Sequence, residues 1–199
     1  MLGLRERKKA ATRAALRRAA LQLVTDRGFD AVTVEEIADL AGVAQRTFFR
    51  YFASKEDVIV DDRDLAEELA ALLEQTPAAQ PPVAAVRTAL LSLAGRLDAG
   101  DRAEILARQR LIATTPALLA RSLEQHQAWE AVLADWLAER LGTTDRLGNR
   151  LLPAVCVAAV RVAAEAWVAS DGQDDIEGLV ASALDQISHG LDLQPPGNG

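Results

Sequence analysis

Apolar residues recur at three- and four-residue spacing along almost the whole chain, and no stretch alternates with the period of two that a strand requires. Ala11, Ala15, Leu16, Ala19, Ala20, Leu23 and Val24 form the apolar face of a first helix, from about Leu4 to Arg27, which Gly28 should stop. Between Thr33 and Phe52 the pattern tightens into two short helices. Val34, Ile37, Ala38 and Ala41 line the first of them. Gly42 ends it, because glycine enters the left-handed conformation of a helix terminus without a Cβ clash. The second turns Phe48 and Phe52 inward and Gln45, Arg46, Thr47, Phe49, Arg50 and Tyr51 outward. Thr33 and Glu36 supply the S/T-x-x-E capping box that starts the pair.

The remaining segments read as helices too. One spans 54–75, with Ser54 as its N-cap, Asp57 at the capping-box position and Leu65, Leu69, Leu72 and Leu73 inward. Others cover 81–97, closed by Ala99-Gly100-Asp101, then 102–114 and 116–141. In the 116–141 helix Leu119, Ser122, His126, Trp129, Leu133 and Trp136 share a stripe. The last two are 151–170 and 176–191. The fold class expected is therefore all-α with about nine helices: a helix-turn-helix head over residues 1–53, a helical body over 54–193 and a disordered tail over 194–199.

Charge sharpens this division. The whole chain carries −7, yet residues 1–55 hold 11 Lys+Arg against 6 Asp+Glu, while residues 56–199 hold 11 against 23. A head at +5 on a body at −12 is the balance expected of a nucleic-acid reader with a second domain that does not touch the duplex. The basic residues of the first helix, including Lys8 and Lys9, crowd its N-terminal half, where only Glu6 offers a local partner. Phosphate contact explains them better than a solvated surface does.

Double-stranded DNA is thus the partner read from the residues. The second short helix enters the major groove, with Gln45, Arg46, Thr47 and Phe49 facing bases or their methyl groups. Tyr51, Lys55 and the first helix hold phosphates, and Thr33 and Arg50 complete the DNA-facing set. A helical hairpin that simply packs is the plainer alternative, and the flanking basic helix weighs against it.

The single cysteine, Cys156, excludes an intrachain disulfide and fits a reducing compartment. The N-terminus lacks the apolar core of a signal peptide, and the longest apolar stretch, 151–160, is too short to span a bilayer. A cytoplasmic protein with no membrane partner is expected. No phosphate loop or metal-ligand cluster is visible, and the two histidines, His126 and His189, are far apart. Neither an enzyme, a cofactor nor a metal is expected.

The string TVEEIADLAGVAQRTFFRYFASKEDV, within a match over residues 5–58, resembles the signature of the tetracycline-repressor (TetR) family of bacterial transcription regulators. Two residues depart from the family's pattern. Ala44 stands where a capping Ser is common, and Phe49 stands where Tyr is usual, without the hydroxyl often given to a phosphate. Arg46, Thr47, Tyr51 and Lys55 remain.

In the body, Val155, Ala158, Ala159, Val162 and Ala166 make a helix that is small and apolar over much of its circumference. It suits either a core or a two-fold homodimer contact, and a palindrome-reading head favours the homodimer. Arg108, Arg110, His126, Trp129, Trp136 and Trp167 are the candidate ligand-binding residues. The stretch from Arg108 to Trp136 resembles TetR-type regulators described as binding acyl-CoA-like ligands. That resemblance implies an acyl-CoA-like small-molecule effector, with Arg108, Arg110 or Arg121 on its phosphates. The expectation is a homodimeric repressor on a palindromic operator, released by an apolar or acyl-type effector. A ligand-independent DNA-binding protein, or an activator of the same build, remains the alternative.

Overall fold

The computed structural model describes residues 3–60, 63–98, 102–142 and 147–188. Among these are ten helices and no strand: α1 (Leu4–Arg27), α2 (Val34–Leu40), α3 (Gln45–Tyr51), α4 (Lys55–Val60), α5 (Arg63–Glu74), α6 (Pro82–Asp98), α7 (Arg102–Thr114), α8 (Pro116–Leu141), α9 (Gly148–Ala169) and α10 (Ile176–Ser188). The all-α expectation holds. The helix expected over 54–75 is described as α4 and α5, and 61–62 between them lie outside the described residues. The 99–101 stop, the end of the last helix at 191 and the 194–199 tail lie outside the described residues.

Two compact units divide the chain. The first gathers Met1–Asp61 with Ala107–Leu123; the second gathers Asp62–Leu106 with Glu124–Gly199. A cut at 53/54 in the sequence thus differs from the packing, which adds α4 and the α7–α8 corner to the head. The reason is apolar complementarity: Ile112 and Leu118 are buried in the same cluster as Leu16, Val24, Ile37, Phe48, Phe52 and Val58–Val60. Leu118 is fully buried, whereas its neighbour Leu119 is exposed. The α8 stripe therefore runs through Leu118, not Leu119.

The second unit has its own core, built from Leu69 and Leu73 of α5, Val86, Leu90 and Leu93 of α6, Trp129, Leu133 and Leu137 of α8, Val157 and Ala163 of α9, and Val180 and Leu184 of α10. Cys156 lies in this core, and burial pushes its thiol up to about 11. α9 is longer than the 151–160 apolar stretch, and by length and composition it could cross a membrane. Its Cys156, Val157, Ala159 and Ala163 belong to the bundle core, and its outer side carries the Arg161–Glu165 ion pair at 2.5 Å, as its i,i+4 spacing predicts.

Candidate nucleic-acid interface

The helix-turn-helix is set by its terminal groups. Thr33 Oγ1 accepts from the Glu36 N–H at 3.2 Å, and Glu36 Oε2 accepts from the Thr33 N–H at 2.9 Å, completing the capping box. Arg27, at the end of α1, donates to Glu36 Oε1 at 2.7 Å and to the Ala31 carbonyl at 3.0 Å. The Thr33 backbone bond, together with the Arg27 and Thr33 side chains, holds the Glu36 carboxyl down at about 2. One guanidinium thus ties the end of α1 to the start of α2. Sequence reasoning missed this role of Arg27, since no periodic spacing links the two residues.

At the other end of α2 the chain must reverse. The Gly42 N–H donates to the Asp39 carbonyl and the Val43 N–H to the Ala38 carbonyl, both at 3.0 Å, with Gly42 at φ +69°. This Schellman pattern needs the left-handed residue that glycine supplies. Ala44 then caps α3 with extended backbone and no side-chain bond, so an orphan amide at the start of α3 goes without the acceptor a Ser would give.

α3 divides cleanly between core and solvent. Phe48 is 0% exposed and Phe52 1%, whereas Phe49 is 53% exposed. Gln45, Arg46 and Arg50 are also exposed, and Thr47 and Tyr51 are half-buried. The Phe49 ring stands edge-on to Phe48 at 5.4 Å and 79°, and the Arg50 guanidinium lies 5.2 Å from the Tyr51 ring. On α1, Lys8 and Lys9 are exposed, and Arg13 sits 6.0 Å from the Phe52 ring. Gln45, Arg46, Phe49 and Arg50 therefore form one continuous open face. The Thr33 hydroxyl is occupied with the capping box, donating to Glu36 Oε2 at 3.0 Å.

Lys55 has a different setting from the one its sequence position suggests. Its ammonium donates to the Phe29 carbonyl at 2.6 Å and the Val32 carbonyl at 2.8 Å, and lies 4.2 Å from the Phe29 ring centre. Two of its three N–H groups hold the α1–α2 loop. Beside it, Ser54 Oγ accepts from the Asp57 N–H at 3.2 Å, as an N-cap should. Asp57 Oδ2 accepts from the Ala53 N–H at 3.1 Å, one residue before the amide a standard capping box would use. The other oxygen of Asp57 accepts from Arg121 Nε at 2.6 Å.

The candidate ligand-binding residues fall in both units. Arg108 and Arg110 belong to the first; His126, Trp129, Trp136 and Trp167 belong to the second. His126 and Trp129 meet edge to face at 6.4 Å. Trp136 donates through Nε1 to the Leu73 carbonyl at 3.1 Å and stacks on Arg140, whose guanidinium also bonds the Pro77 carbonyl; its polar atom is thus already used inside the bundle. Trp167 is buried beside Gly172, and its Nε1 finds no acceptor among the described residues. Of the candidate dimer residues, Val162 and Ala166 are exposed, Val155 and Ala158 half-buried, and Ala159 buried in the core.

Residues 16–61 match the family model described as bacterial regulatory proteins of the tetR family, and residues 80–192 match the MftR C-terminal domain. The transcriptional regulator TcmR of Streptomyces glaucescens is 38% identical, across 98% of this chain and 92% of its own. MftR of Mycobacterium tuberculosis is 33% identical across 87% of each. Among solved structures, FadR of Bacillus halodurans aligns with a TM-score of 0.64 at 20% identity, covering 92% of this chain and 97% of its own. FadR of Thermus thermophilus, solved with lauroyl-CoA, aligns at 0.58 and 23%, covering 94% and 98%. These two share the fold.

Proposed function

The chain belongs to the TetR family of bacterial transcriptional regulators, and from that premise we propose that it is a repressor that binds a palindromic operator as a homodimer and is released by an acyl-type effector. The observation that carries this reading is the open face of α3, where Gln45, Arg46, Phe49 and Arg50 stand exposed above a buried Phe48. Glutamine and arginine in that position suit adenine and guanine edges in the major groove. Lys8 and Lys9 supply phosphate contacts, and Lys55 acts by holding the loop beneath the motif.

Two heads are needed to read a palindrome, at a half-site spacing of about one helical turn or more. Support for a dimer comes from α9, whose Leu151, Val155, Ala158, Val162 and Ala166 fall on one side at i, i+4, i+7, i+11 and i+15 and are all exposed or half-buried. Small residues there let a second copy approach closely. Support for an acyl-type effector comes from the T. thermophilus FadR fold, solved with lauroyl-CoA, and from the buried Trp167 donor. The effector releases DNA only by binding one head arrangement better than the other.

The test is fluorescence anisotropy with a palindromic duplex selected from a random library, with lauroyl-CoA as the probe effector. Specific binding by a dimer, weakened at least tenfold by saturating lauroyl-CoA, is the expected result. Unchanged affinity with lauroyl-CoA would remove the acyl-type effector and leave the DNA reading standing.

A further inference from the structure

We infer that Phe49 is a specificity-determining residue that reads the C5-methyl group of thymine, so the operator half-site prefers a T opposite the first turns of α3. This rests on the DNA-binding reading above. Phe49 is the exposed apolar side chain on a helix face whose other members are Gln45, Arg46 and Arg50. Its ring is not loose: it packs edge-on against Phe48, which is itself fully buried, at 5.4 Å. The ring therefore projects from a fixed base. Lacking a hydroxyl, it can neither donate to a phosphate nor bond a base edge.

The major groove presents hydrogen-bonding edges on every base pair, but only thymine adds a methyl group, and an apolar side chain is its natural contact. Helical side chains lean back over the preceding turn, so the Phe49 ring leans toward Gln45 and Arg46, the N-terminal residues that approach base edges. Gln45 is suited to adenine through N6 and N7. An adenine read by Gln45, with a thymine methyl against Phe49, gives the half-site an A·T-dependent core that polar contacts alone do not specify.

The experiment begins with binding sites selected from a randomised duplex library by the full-length protein, and separately by Phe49→Ala. Each recurrent thymine is then replaced by uracil, which keeps O4 and loses only the methyl. In the wild-type protein, uracil at one such position in one half-site is expected to weaken binding about fourfold, the effect of one buried methyl, and at that position in both half-sites about fifteenfold. Phe49→Ala should be indifferent to that replacement, and its selected sites should lose the T there. Phe49→Leu, still apolar, should keep part of the sensitivity. Because Phe49 is half exposed and its ring contact is the edge-on one with Phe48, the circular dichroism of these variants should match wild type and the melting temperature should change little. Uracil tolerated at every position, or an equal penalty in wild type and Phe49→Ala, would overturn the inference while leaving DNA binding intact. No enrichment of any site would overturn the DNA reading itself, and this inference with it.

Discussion

Arg121 Nε lies 2.6 Å from Asp57 Oδ1, joining the early turns of α8 to the capping turn of α4 across sixty-four positions of sequence. The Asp57 side chain is 7% exposed and the Arg121 side chain 38%, so the carboxylate is desolvated and the guanidinium reaches solvent. The same carboxylate accepts from the Ala53 N–H, and its own residue's N–H is held by Ser54. Losing the arginine leaves a buried acceptor short of a charged partner.

Arg121→Ala and Asp57→Asn should each destabilise the head, by about 1–3 kcal/mol, and the double variant should cost less than their sum. Thermal melts of all four proteins check this. Additive losses would show that the two side chains act independently.

Lys55→Met keeps an unbranched side chain of similar length and removes the two carbonyl contacts and the charge over the Phe29 ring. Stability should fall by about 1–3 kcal/mol and amide exchange over residues 29–33 should quicken. The slope of operator affinity against salt should stay unchanged. A slope reduced by about one would instead assign Lys55 a phosphate.

The capping box fixes a pH window. The Glu36 pKa is lowered in the folded chain, from the model-peptide 4.5 to about 2, so its stabilisation is fully present above pH 4.5 and is lost as pH falls through about 2. A carboxyl NMR titration should place the Glu36 midpoint near 2. Glu36→Gln should melt at a lower temperature at pH 7, and the gap to wild type should close toward pH 2.

Much of the head is legible in sequence because its signals are local. Leu4–Arg27, the Thr33–Glu36 box, the Gly42 turn and the inward Phe48 and Phe52 follow from caps and helical period alone. What stayed hidden depends on distant chain. Ala117-Leu118-Leu119-Ala120 offers adjacent leucines whose spacing does not say which is buried; Leu118 is, because it closes the head core with Ile112. From the sequence Lys55 reads as a phosphate contact; the Phe29 and Val32 carbonyls that its ammonium meets lie more than twenty residues earlier.

Ala44→Ser supplies the missing acceptor at the start of α3. The extended backbone at Ala44 already suits an N-cap, so the variant should be more stable by about 1 kcal/mol. A rise in melting temperature of roughly 2–4 °C is the corresponding readout. No rise would mean that solvent already satisfies the amides there.

Val162 is 50% exposed on the α9 stripe. Val162→Asp should leave the melt of the isolated chain almost unchanged, shift the solution mass from dimer to monomer in light scattering, and weaken binding to a two-half-site duplex far more than to a single half-site. A dimeric Val162→Asp would place the contact elsewhere.

The first unit is written in two instalments, Met1–Asp61 and Ala107–Leu123, with the intervening 62–106 assigned to the second. A ribosome adding about 5–20 residues per second needs roughly 3–12 s to travel from the end of the first instalment to the end of the second. During that interval the nascent first unit has α3 but gains Ile112, Leu118 and the Arg121 that meets Asp57 only near its end. The first unit is therefore complete only after more than half of the chain has been made, and a fragment cut after residue 61 lacks these three side chains.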